Sequence, residues 1–400
     1  MALQRGHDLP DQERRPGNVP ILGSFGVTGF HDTVKANGPG VTIGRSGASF
    51  GVAAYTDKDY WPLNTALYVT DFKGNEPKFV FYFFKEFDFS GYNSGSAQPS
   101  LNRNNLYGIP IRVPQPSVQK QVAGVVSALD DRIALLRETN ATLEALAQVL
   151  FKSWFVDFDP VHAKQQGRAL ESMDEATAVL FPESFEESEL GLVPKGWKTC
   201  PIYDLATYIN GAAYKAFEPN SERLGLPIIK IAELKSGVTS QTAYSDVAMP
   251  EKYRIETGDI LFSWSGNPDT SIDTFVWQHS PAWLNQHIFR VIPHATEERS
   301  FVLQMLKHLR PVFAELARNK QTTGLGHVTV ADMKRLHVIR PDKAALDLFN
   351  EMAAPIHERV FENEKQAQTL ATLRDTLLPR LISGQLRLPE VEAMIEEAIA

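Results

Sequence analysis

Cysteine is nearly absent from this chain of 400 residues, in which Cys200 is the only one. A single cysteine cannot form an intramolecular disulfide, so the fold depends on its cores, and the composition fits a reducing compartment. The sequence also contains no run of 18 apolar residues and no charged, apolar, small-residue leader behind Met1. We therefore expect neither a membrane span nor a secretory signal, and we expect the chain in the cytoplasm.

The motifs that mark common enzyme sites are missing as well. No GxxxxGK[ST] loop occurs, no GxGxxG opens a helix, and the ten histidines form neither an HExxH pattern nor a cluster with cysteine. Asn267-Pro268 is followed by Asp269, so the Asn-Pro-Pro-aromatic signature of an adenine-methylating site is incomplete. We predict a chain without catalytic activity, nucleotide cofactor or metal of its own.

The net charge of −8 argues mildly against a partner rich in phosphates. Acidic residues crowd residues 171–189 and 390–397, however, and the rest of the chain is nearly balanced. The charge balance therefore lowers the expectation of nucleic-acid binding without excluding it. With 43% hydrophobic residues, the chain can build two or three sizeable cores.

An apolar helical seam runs through residues 113–158. Leucine or valine recurs every seven residues from Val122 to Leu150, and further apolar residues fill neighbouring positions, so the pattern lasts about four heptads. A helix of about 40 residues is about 60 Å long, and its seam requires a partner helix. The seam residues are Val122, Val126, Leu129, Ile133, Leu136, Leu143, Ala147 and Leu150.

Alignment of the sequence with itself at an offset of 227 residues shows a second copy of this helix, which can serve as the partner. Residues 341–386 then repeat the plan of the first helix without a gap, so that Thr142 falls on Thr369 and Leu150 on Leu377. Two copies of a long helix, each behind a β-like region, indicate a tandem duplication. We predict that the two helices pair with each other as a coiled coil.

The regions in front of the helices repeat one another less closely. Residues 1–112 are punctuated by Gly and Pro, as is typical of an irregular, mostly β domain. Residues 191–340 reuse its blocks: LPIIKIAEL corresponds to VPILGSFGV, TGDILFSWSG to GPGVTIGRSG, and LNQHIFRV to LNTALYV. The last match makes Asn64 and Asn285 equivalent. The opening of the second copy around Gly196 has no counterpart, so we expect the opening strands of the first copy to be missing.

The remaining segments complete the predicted organisation. Residues 159–190 form an acidic linker with a short helix near 172–180, and residues 387–400 form an acidic tail. The apolar stretch 78–89 is either a buried strand or a short helix, because periodicity does not separate the two. The predicted fold class is α+β: two β-rich globular domains separated by two long coiled-coil helices, in a tandem repeat that is pseudo-twofold when these helices pair antiparallel.

Three segments resemble a known family. They are QKQVAGVVSALDDRIALLRETNATLEALAQVLFKSWFVDFDP, LRDTLLPRLISGQLRL and the linker LFPESFEESELGLVPKGW. With them the chain resembles, over nearly its whole length, the specificity subunit of type I restriction-modification systems. The resemblance implies a non-catalytic subunit with two target-recognition domains. In that family each domain reads one half of a split sequence in double-stranded DNA, and two antiparallel helices act as a ruler between the domains.

The resemblance also implies partners and their cofactors. The subunit docks DNA adenine methyltransferase subunits, which use S-adenosylmethionine, and restriction/translocase subunits, which use ATP and Mg²⁺; no cofactor is expected in this chain. A rival interpretation is a structural scaffold whose two β-rich domains bind proteins or glycans on a coiled-coil spacer. Salt dependence separates the two, because DNA binding weakens steeply as salt rises.

Candidate DNA contacts lie at strand ends and in two polar loops that coincide in the repeat, residues 94–103 and 320–327. A guanidinium such as that of Arg45 can bond guanine O6 and N7 together, and amides and hydroxyls reach base edges and phosphates. A structural role stays open for each: Arg45 as a surface arginine, Asn64 as a turn or capping residue, and both loops as ordinary surface. The candidates are Arg45, Ser46, Asn64, Ser96, Gln98, Asn102, Arg103, Lys230, Ser265, Asn267, Gln286, Lys320, Gln321, Thr322, Thr323 and His327.

Three aromatic residues are expected to be structural. Trp264, the counterpart of Arg45 in the repeat, is expected to pack against its own domain. Trp154 and Phe155, at the end of the first helix, are expected to bury against the linker or a partner subunit.

Overall fold

The computed structural model describes residues 1–95, 99–169, 173–321 and 324–386, together with Glu390 and Met394. The chain forms two compact units. The first comprises Met1–Leu136 and Gln366–Ala400, and the second comprises Arg137–Lys365. Each unit therefore contains one β-rich region and part of both long helices.

The β-rich region of the first unit consists of two sheets and a short helix. Its elements are β1 (Ala2–Arg5), β2 (Val19–Gly23), β3 (Gly26–His31), β4 (Gly40–Gly44), β5 (Ala53–Thr56), β6 (Trp61–Pro62), β7 (Ala66–Asp71) and α1 (Pro77–Glu86). The main sheet has the order β1-β7-β4-β5 with antiparallel neighbours. The second sheet has the order β3-β2-β6, in which β2 and β6 run parallel.

The apolar stretch 78–89 lies largely in helix α1, which settles the choice between strand and helix. Phe79 and Tyr82, three residues apart, pack in a cluster with the long helices. Val80 and Phe84, four residues apart, pack in the core of the sheet. Both faces of α1 are therefore buried, which explains why the sequence shows no polar face there.

The chain contains two long helices, α2 (Pro116–Phe155) and α9 (Lys343–Ile382), each of 40 residues. Part of each helix belongs to the first unit and part to the second. In the first unit, α2 residues from Val122 to Val126 cluster with α9 residues from Leu377 onward, and those from Leu129 to Leu136 cluster with Ala367 and Leu370. Later positions on α2 thus meet earlier positions on α9, so the helices run antiparallel there. No helix in the described ranges is long and apolar enough to cross a membrane.

The second unit holds the linker and the larger β-rich region. Its helices besides the long pair are α3 (Asp159–Gln165), α4 (Glu175–Val179), α5 (Ile231–Ser236), α6 (Arg299–His308), α7 (Arg310–Arg318) and α8 (Val330–Arg335). Its strands are β8 (Phe185–Ser188), β9 (Gly191–Pro194), β10 (Lys198–Pro201), β11 (Ala206–Asn210), β12 (Leu226–Ile229), β13 (Tyr244–Ser245), β14 (Arg254–Ile255), β15 (Ile260–Ser263), β16 (Ser265–Gly266), β17 (Asp273–Val276), β18 (Ala282–Leu284), β19 (Ile288–Pro293), β20 (Gly326–His327) and β21 (His337–Arg340). The helix predicted near 172–180 corresponds to the shorter α4.

The sheets of the second unit reproduce those of the first. The order β11-β19-β15-β17 matches β1-β7-β4-β5, and the parallel pair of β12 with β18 matches that of β2 with β6. Helix α6 lies on β17 as α1 lies on β5. The duplication predicted from the sequence is therefore present in the strand arrangement. The pair of β10 with β21 has no counterpart among the described residues of the first unit.

The hydrogen-bond register corrects one predicted match by a single residue. The N–H of Asn64 donates to the carbonyl oxygen of His7 at 3.0 Å, and the N–H of Gln286 donates in the same way to Ala212 at 2.8 Å. Asn64 therefore corresponds to Gln286, and its predicted equivalence with Asn285 is wrong. The shared Leu-Asn pair favours the mistaken alignment, whereas strand pairing sets the register.

A polar pair interrupts the apolar seam of the long helices in the second unit. Nδ2 of Asn140 donates to the carbonyl oxygen of Val360 at 3.0 Å, and Oδ1 of Asn140 accepts from Nδ2 of Asn363 at 2.9 Å. Both asparagines are buried. Asn140 occupies the heptad position between Ile133 and Ala147, which the apolar pattern skips. A buried amide at such a position fixes the register of paired helices at a cost in stability.

The aromatic end of α2 is buried within the second unit. Trp154 meets Phe181 of the linker edge-on with ring centroids 5.0 Å apart, and Phe155 packs against Trp197 and Phe349. Trp154 and Phe155 are each 3% exposed. The predicted burial is confirmed for both rings: Trp154 packs on the linker, as one of the two predicted alternatives had it, whereas Phe155 packs on Trp197 of the following domain and Phe349 of α9.

Candidate nucleic-acid interface

In each main sheet, the turn that follows one inner strand, β4 or β15, is hydrogen-bonded to the end of one of the two predicted polar loops. In the first unit, the N–H of Leu101 donates to the carbonyl oxygen of Arg45 at 2.7 Å. In the second unit, the N–H of Val328 donates to the carbonyl oxygen of Trp264 at 2.8 Å. Bridges between Ser46 and Ser100 and between β16 and β20 extend these contacts. The predicted coincidence of the loops in the repeat is confirmed.

Three arginines surround a concavity of about 600 Å³ in the first unit. Arg45 follows β4, Arg5 ends β1, and Arg103 lies in the polar loop, so residues far apart in sequence meet at one edge of the sheet. The lining residues are Gln4, Arg5, Gly6, His7, Asp8, Arg45, Leu67, Ser94, Ser100, Leu101, Asn102 and Arg103.

The electrostatics of this concavity favour an anion. Burial, and next the charge of Arg5, lowers the pKa of the Arg45 guanidinium. Arg45 remains a cation at neutral pH, because the ordinary pKa of arginine lies above 12. Two like charges held near each other in a partly buried place are stabilised by a negative group between them. Phosphate oxygens and the O6 and N7 acceptors of guanine provide such groups.

Arg5 is a residue of this concavity that the sequence reading missed. A Cβ placed on Gly6 would lie 2.2 Å from the carbonyl oxygen of Leu63, and one placed on Gly211 would lie 2.2 Å from that of Asn285. Both units therefore need glycine directly after β1 and β11. The shared polar-residue-then-glycine pattern, Arg5-Gly6 and Asn210-Gly211, was the signal that could have identified the position.

The matching place in the second unit carries aromatic and imidazole groups instead of arginines. Nε1 of Trp264 donates to Oδ1 of Asn210 at 3.0 Å, and the Trp264 ring lies 5.6 Å from His287 and 5.9 Å from His327, measured between centroids. Trp264 also packs on Phe289, so its predicted packing role is confirmed. Burial, and next the charge of His327, lowers the pKa of His287, which keeps that ring neutral at pH 7.

The other predicted residues of the first unit are spread around the concavity. Ser46 is exposed, and the side chain of Asn64 bonds Asp8 while its carbonyl oxygen accepts from Arg45 at 3.1 Å. Oδ1 of Asn102 accepts from the N–H of Asn104, which begins a turn of 3-10 helix, and Arg103 donates to the carbonyl oxygen of Leu3 at 3.4 Å. Asn64 and Asn102 thus have structural roles. Ser96 and Gln98 lie outside the described residues.

The predicted residues of the second unit are placed less uniformly. Ser265 is buried and its hydroxyl lies 2.9 Å from Nδ1 of His327, so it positions that ring and does not face outward. Gln286 lies beside His287, with 3.3 Å between their Nε2 atoms. Gln321 is exposed, and Thr322 and Thr323 lie outside the described residues.

Three further positions are engaged within the second unit. The ammonium of Lys230 lies 5.2 Å from the centroid of the Tyr214 ring. Oδ1 of Asn267 accepts from the N–H of Asp269 at 2.9 Å in a turn. Lys320 forms an ion pair with Asp332, so its charge is partly neutralised. The sequence could not reveal the partners of Lys230 and Lys320, because these contacts depend on the folded structure, whereas the turn at Asn267 is local.

The described residues contain no group of three or more His, Cys, Asp or Glu side chains that could hold a metal ion. The turns at Arg45 and Trp264, with the polar loops bonded to them, carry hydrogen-bonding groups. These are guanidinium, amide, hydroxyl and imidazole groups at the same edge of equivalent sheets. These are the groups that proteins use on base edges and phosphates.

Known proteins share the sequence pattern and the fold. The family model for the type I restriction modification DNA specificity domain matches residues 6–145 and 194–368. The specificity subunit of the type I restriction enzyme MjaIX from Methanocaldococcus jannaschii is 25% identical over 78% of this chain and 70% of its own length. That of the enzyme HindI from Haemophilus influenzae is 26% identical over 72% of this chain and 71% of its own length.

A solved structure resembles the chain in fold. The S subunit of a type I restriction-modification system from M. genitalium matches with a TM-score of 0.58 at 16% identity. The match covers 95% of this chain and 93% of the other. At this identity the likeness concerns the fold alone.

Proposed function

The chain belongs to the family of type I restriction-modification specificity subunits, and we propose that it reads a bipartite DNA target with one half-site for each unit. As a specificity subunit it recognises DNA and is not itself a catalyst. The two halves are read through the turns at Arg45 and Trp264 and the polar loops tied to them. What supports the proposal is the repetition of one backbone arrangement, Leu101 to Arg45 and Val328 to Trp264, with different side chains around it.

The different side chains suit two different half-sites. In the first unit the guanidinium groups of Arg5, Arg45 and Arg103 can make bidentate hydrogen bonds with guanine or phosphate. In the second unit the imidazole rings of His287 and His327 lie beside Trp264 and carry nitrogens that can make single hydrogen bonds. A repeated scaffold with exchanged contacts is what a reader of two unequal sequences requires.

The long helices α2 and α9 act as the spacer between the half-sites. Their antiparallel contacts within each unit support this role, because a pair of helices of about 60 Å is stiff enough to hold a distance. The buried Asn140–Asn363 pair keeps the two helices in one register.

The chain works with partners that supply the chemistry. It docks DNA adenine methyltransferase subunits, which bring S-adenosylmethionine, and restriction/translocase subunits, which bring ATP and Mg²⁺, in the cytoplasm. A chain that recognises DNA without a catalytic site of its own needs such partners for methylation or cleavage of its target.

Methylation mapping tests the proposal. The chain is expressed with its methyltransferase subunit in a host without other adenine methylation, and the methylated adenines of the genome are sequenced. The expected result is one bipartite sequence with a fixed gap. Methylation at a continuous sequence would contradict reading by two units. Absence of sequence-specific DNA binding by the purified complex at any salt concentration would contradict the DNA-recognition function itself.

A further inference from the structure

A hairpin with an exposed aromatic tip stands in the first unit. Strands β2 and β3 are joined by the two residues Ser24-Phe25, and Gly23 pairs with Gly26 at the end of the ladder. Gly26 has a φ of +113°, a conformation that side chains disfavour, so glycine permits the tight turn. Phe25 is 67% exposed. A phenylalanine that is exposed to this degree contributes little to the core.

The tip of this hairpin touches the turn that carries Arg45. The hydroxyl of Thr42 donates to the carbonyl oxygen of Gly23 at 3.5 Å. A Cβ on Gly44 would lie 3.0 Å from the carbonyl oxygen of Ser24, so the two backbones are in close contact. Arg45 follows Gly44 directly. The backbone of the exposed apolar tip therefore lies against the strand end that leads into Arg45, one of the residues that line the concavity.

The second unit covers the matching place. After β12 its chain continues into α5, whose Ile231 and Leu234 pack against a buried cluster. The first unit has the hairpin there, and Phe25 and Val27 stay 67% and 53% exposed. The difference lies beside the predicted DNA contacts and affects one unit alone. The shared scaffold therefore does not require an exposed hairpin, and the hairpin is free to make a contact specific to the first unit.

We propose that the β2–β3 hairpin enters the major groove of the first half-site and that Phe25 makes an apolar contact with the bases there. This inference rests on the proposed function. The major groove is wide enough for a two-stranded ribbon, and it exposes the thymine methyl group, to which apolar side chains bind. The arginines beside the tip bind the flanking phosphates or a guanine, so charge brings the DNA to the hairpin.

Phe30 of the same hairpin provides a matched control. It is 57% exposed and pairs with Pro20, four residues along β3 from Gly26. At about 3.3 Å per residue, it lies roughly 13 Å from the tip. Phe25→Ala and Phe30→Ala remove the same side chain from the same exposed hairpin, so neither should unfold the unit.

The experiment measures DNA affinity of the full chain in complex with its methyltransferase subunits, at several salt concentrations. Duplexes carry both half-sites, the first alone, or the second alone. Phe25→Ala should lower the affinity for the first half-site by about tenfold, as the loss of one buried aromatic contact implies. Its slope of log affinity against log salt should equal that of the wild type, because an apolar contact releases no counterions. Phe30→Ala should bind within about twofold of the wild type.

Three outcomes would overturn the inference while leaving the proposed function intact. Phe25→Ala and Phe30→Ala could weaken binding equally, or Phe25→Ala could bind the first half-site like the wild type. Phe25→Ala could also detach the methyltransferase subunit, which would make the tip a protein contact. If the wild-type complex binds no specific DNA, the proposed function fails instead.

Discussion

The backbone N–H of Leu101 donates a hydrogen bond of 2.7 Å to the carbonyl oxygen of Arg45. This bond fastens the end of the polar loop to the turn behind β4, and it leaves the side chains of the loop and the turn free to vary. The same bond between Val328 and Trp264 in the second unit, at 2.8 Å, shows that the fastening depends on backbone atoms alone. Recognition residues can therefore change without loss of the scaffold.

Arg45→Ala, with or without Arg103→Ala, should weaken binding to the first half-site and leave the second intact. The expected cost is about 1–3 kcal/mol if the guanidinium bonds a guanine. Arg45→Lys should recover little in that case, because an ammonium cannot make the bidentate contact. Affinity for each half-site is measured with the methyltransferase complex.

A different pattern would show that Arg45 binds the DNA backbone. Arg45→Ala, alone or with Arg103→Ala, would then weaken binding equally for all DNA sequences. Arg45→Lys would recover most of the affinity, and Arg45→Ala would reduce the slope of log affinity against log salt by about one. Arg137→Ala, at an exposed position of α2, serves as the control and should change neither half-site.

Asn140→Leu should lower the free energy of unfolding by about 1–3 kcal/mol, because the buried amide of Asn363 loses its acceptor. The double variant Asn140→Leu with Asn363→Leu should recover most of this loss, since no buried polar group of the pair remains unpaired. Urea unfolding measures both. If the double variant is no more stable than the single one, the loss comes from packing and not from the amide pair.

Lowering the pH should destabilise the protein through His357. Burial, and next the charges of Lys307 and Arg299, lowers the pKa of His357 to about 4 in the folded chain. Between this value and the ordinary pKa near 6.5, the unfolded state binds a proton that the folded state does not. The free energy of unfolding therefore falls as pH drops through this window, by up to about 3 kcal/mol at its lower end.

His357→Gln isolates this contribution. Its amide oxygen can still accept from Nε2 of Gln304, which lies 2.8 Å from Nε2 of His357, and glutamine does not titrate. Urea midpoints at pH 7, 6 and 5 should fall less steeply for the variant than for the wild type. Parallel curves for the two proteins would show that other groups cause the acid sensitivity.

Lengthening both long helices by seven residues should lengthen the gap between the half-sites. Copies of residues 136–142 in α2 and 360–366 in α9 keep the seam in phase and add about 10 Å. That distance equals about three base pairs at 3.4 Å each. Methylation mapping should then show the same half-sites with a longer gap.

An insertion of two residues in each helix is the control. It puts the apolar seam out of phase, so it should mainly reduce stability. An active seven-residue variant that keeps the original gap would disprove the role of the helices as a spacer.

Local patterns in the sequence were sufficient to predict the features that repeat along the chain. The heptads from Val122 to Leu136 are buried as predicted, and the duplication is present in both sheets, because side-chain periodicity and strand order are written along the chain. The sequence could not decide whether 78–89 was helix or strand, since burial on two faces removes the polar side that periodicity needs.

The places where distant residues meet became known from the folded structure. Arg5, Arg45 and Arg103 line one concavity although nearly a hundred residues separate the first from the last. The matching of Asn64 with Gln286 and the pairing of Asn140 with Asn363 likewise depend on strand register and helix pairing. These relationships arise from hydrogen bonds between segments far apart in the chain, and a pattern of neighbouring residues carries no record of which segment will be the partner.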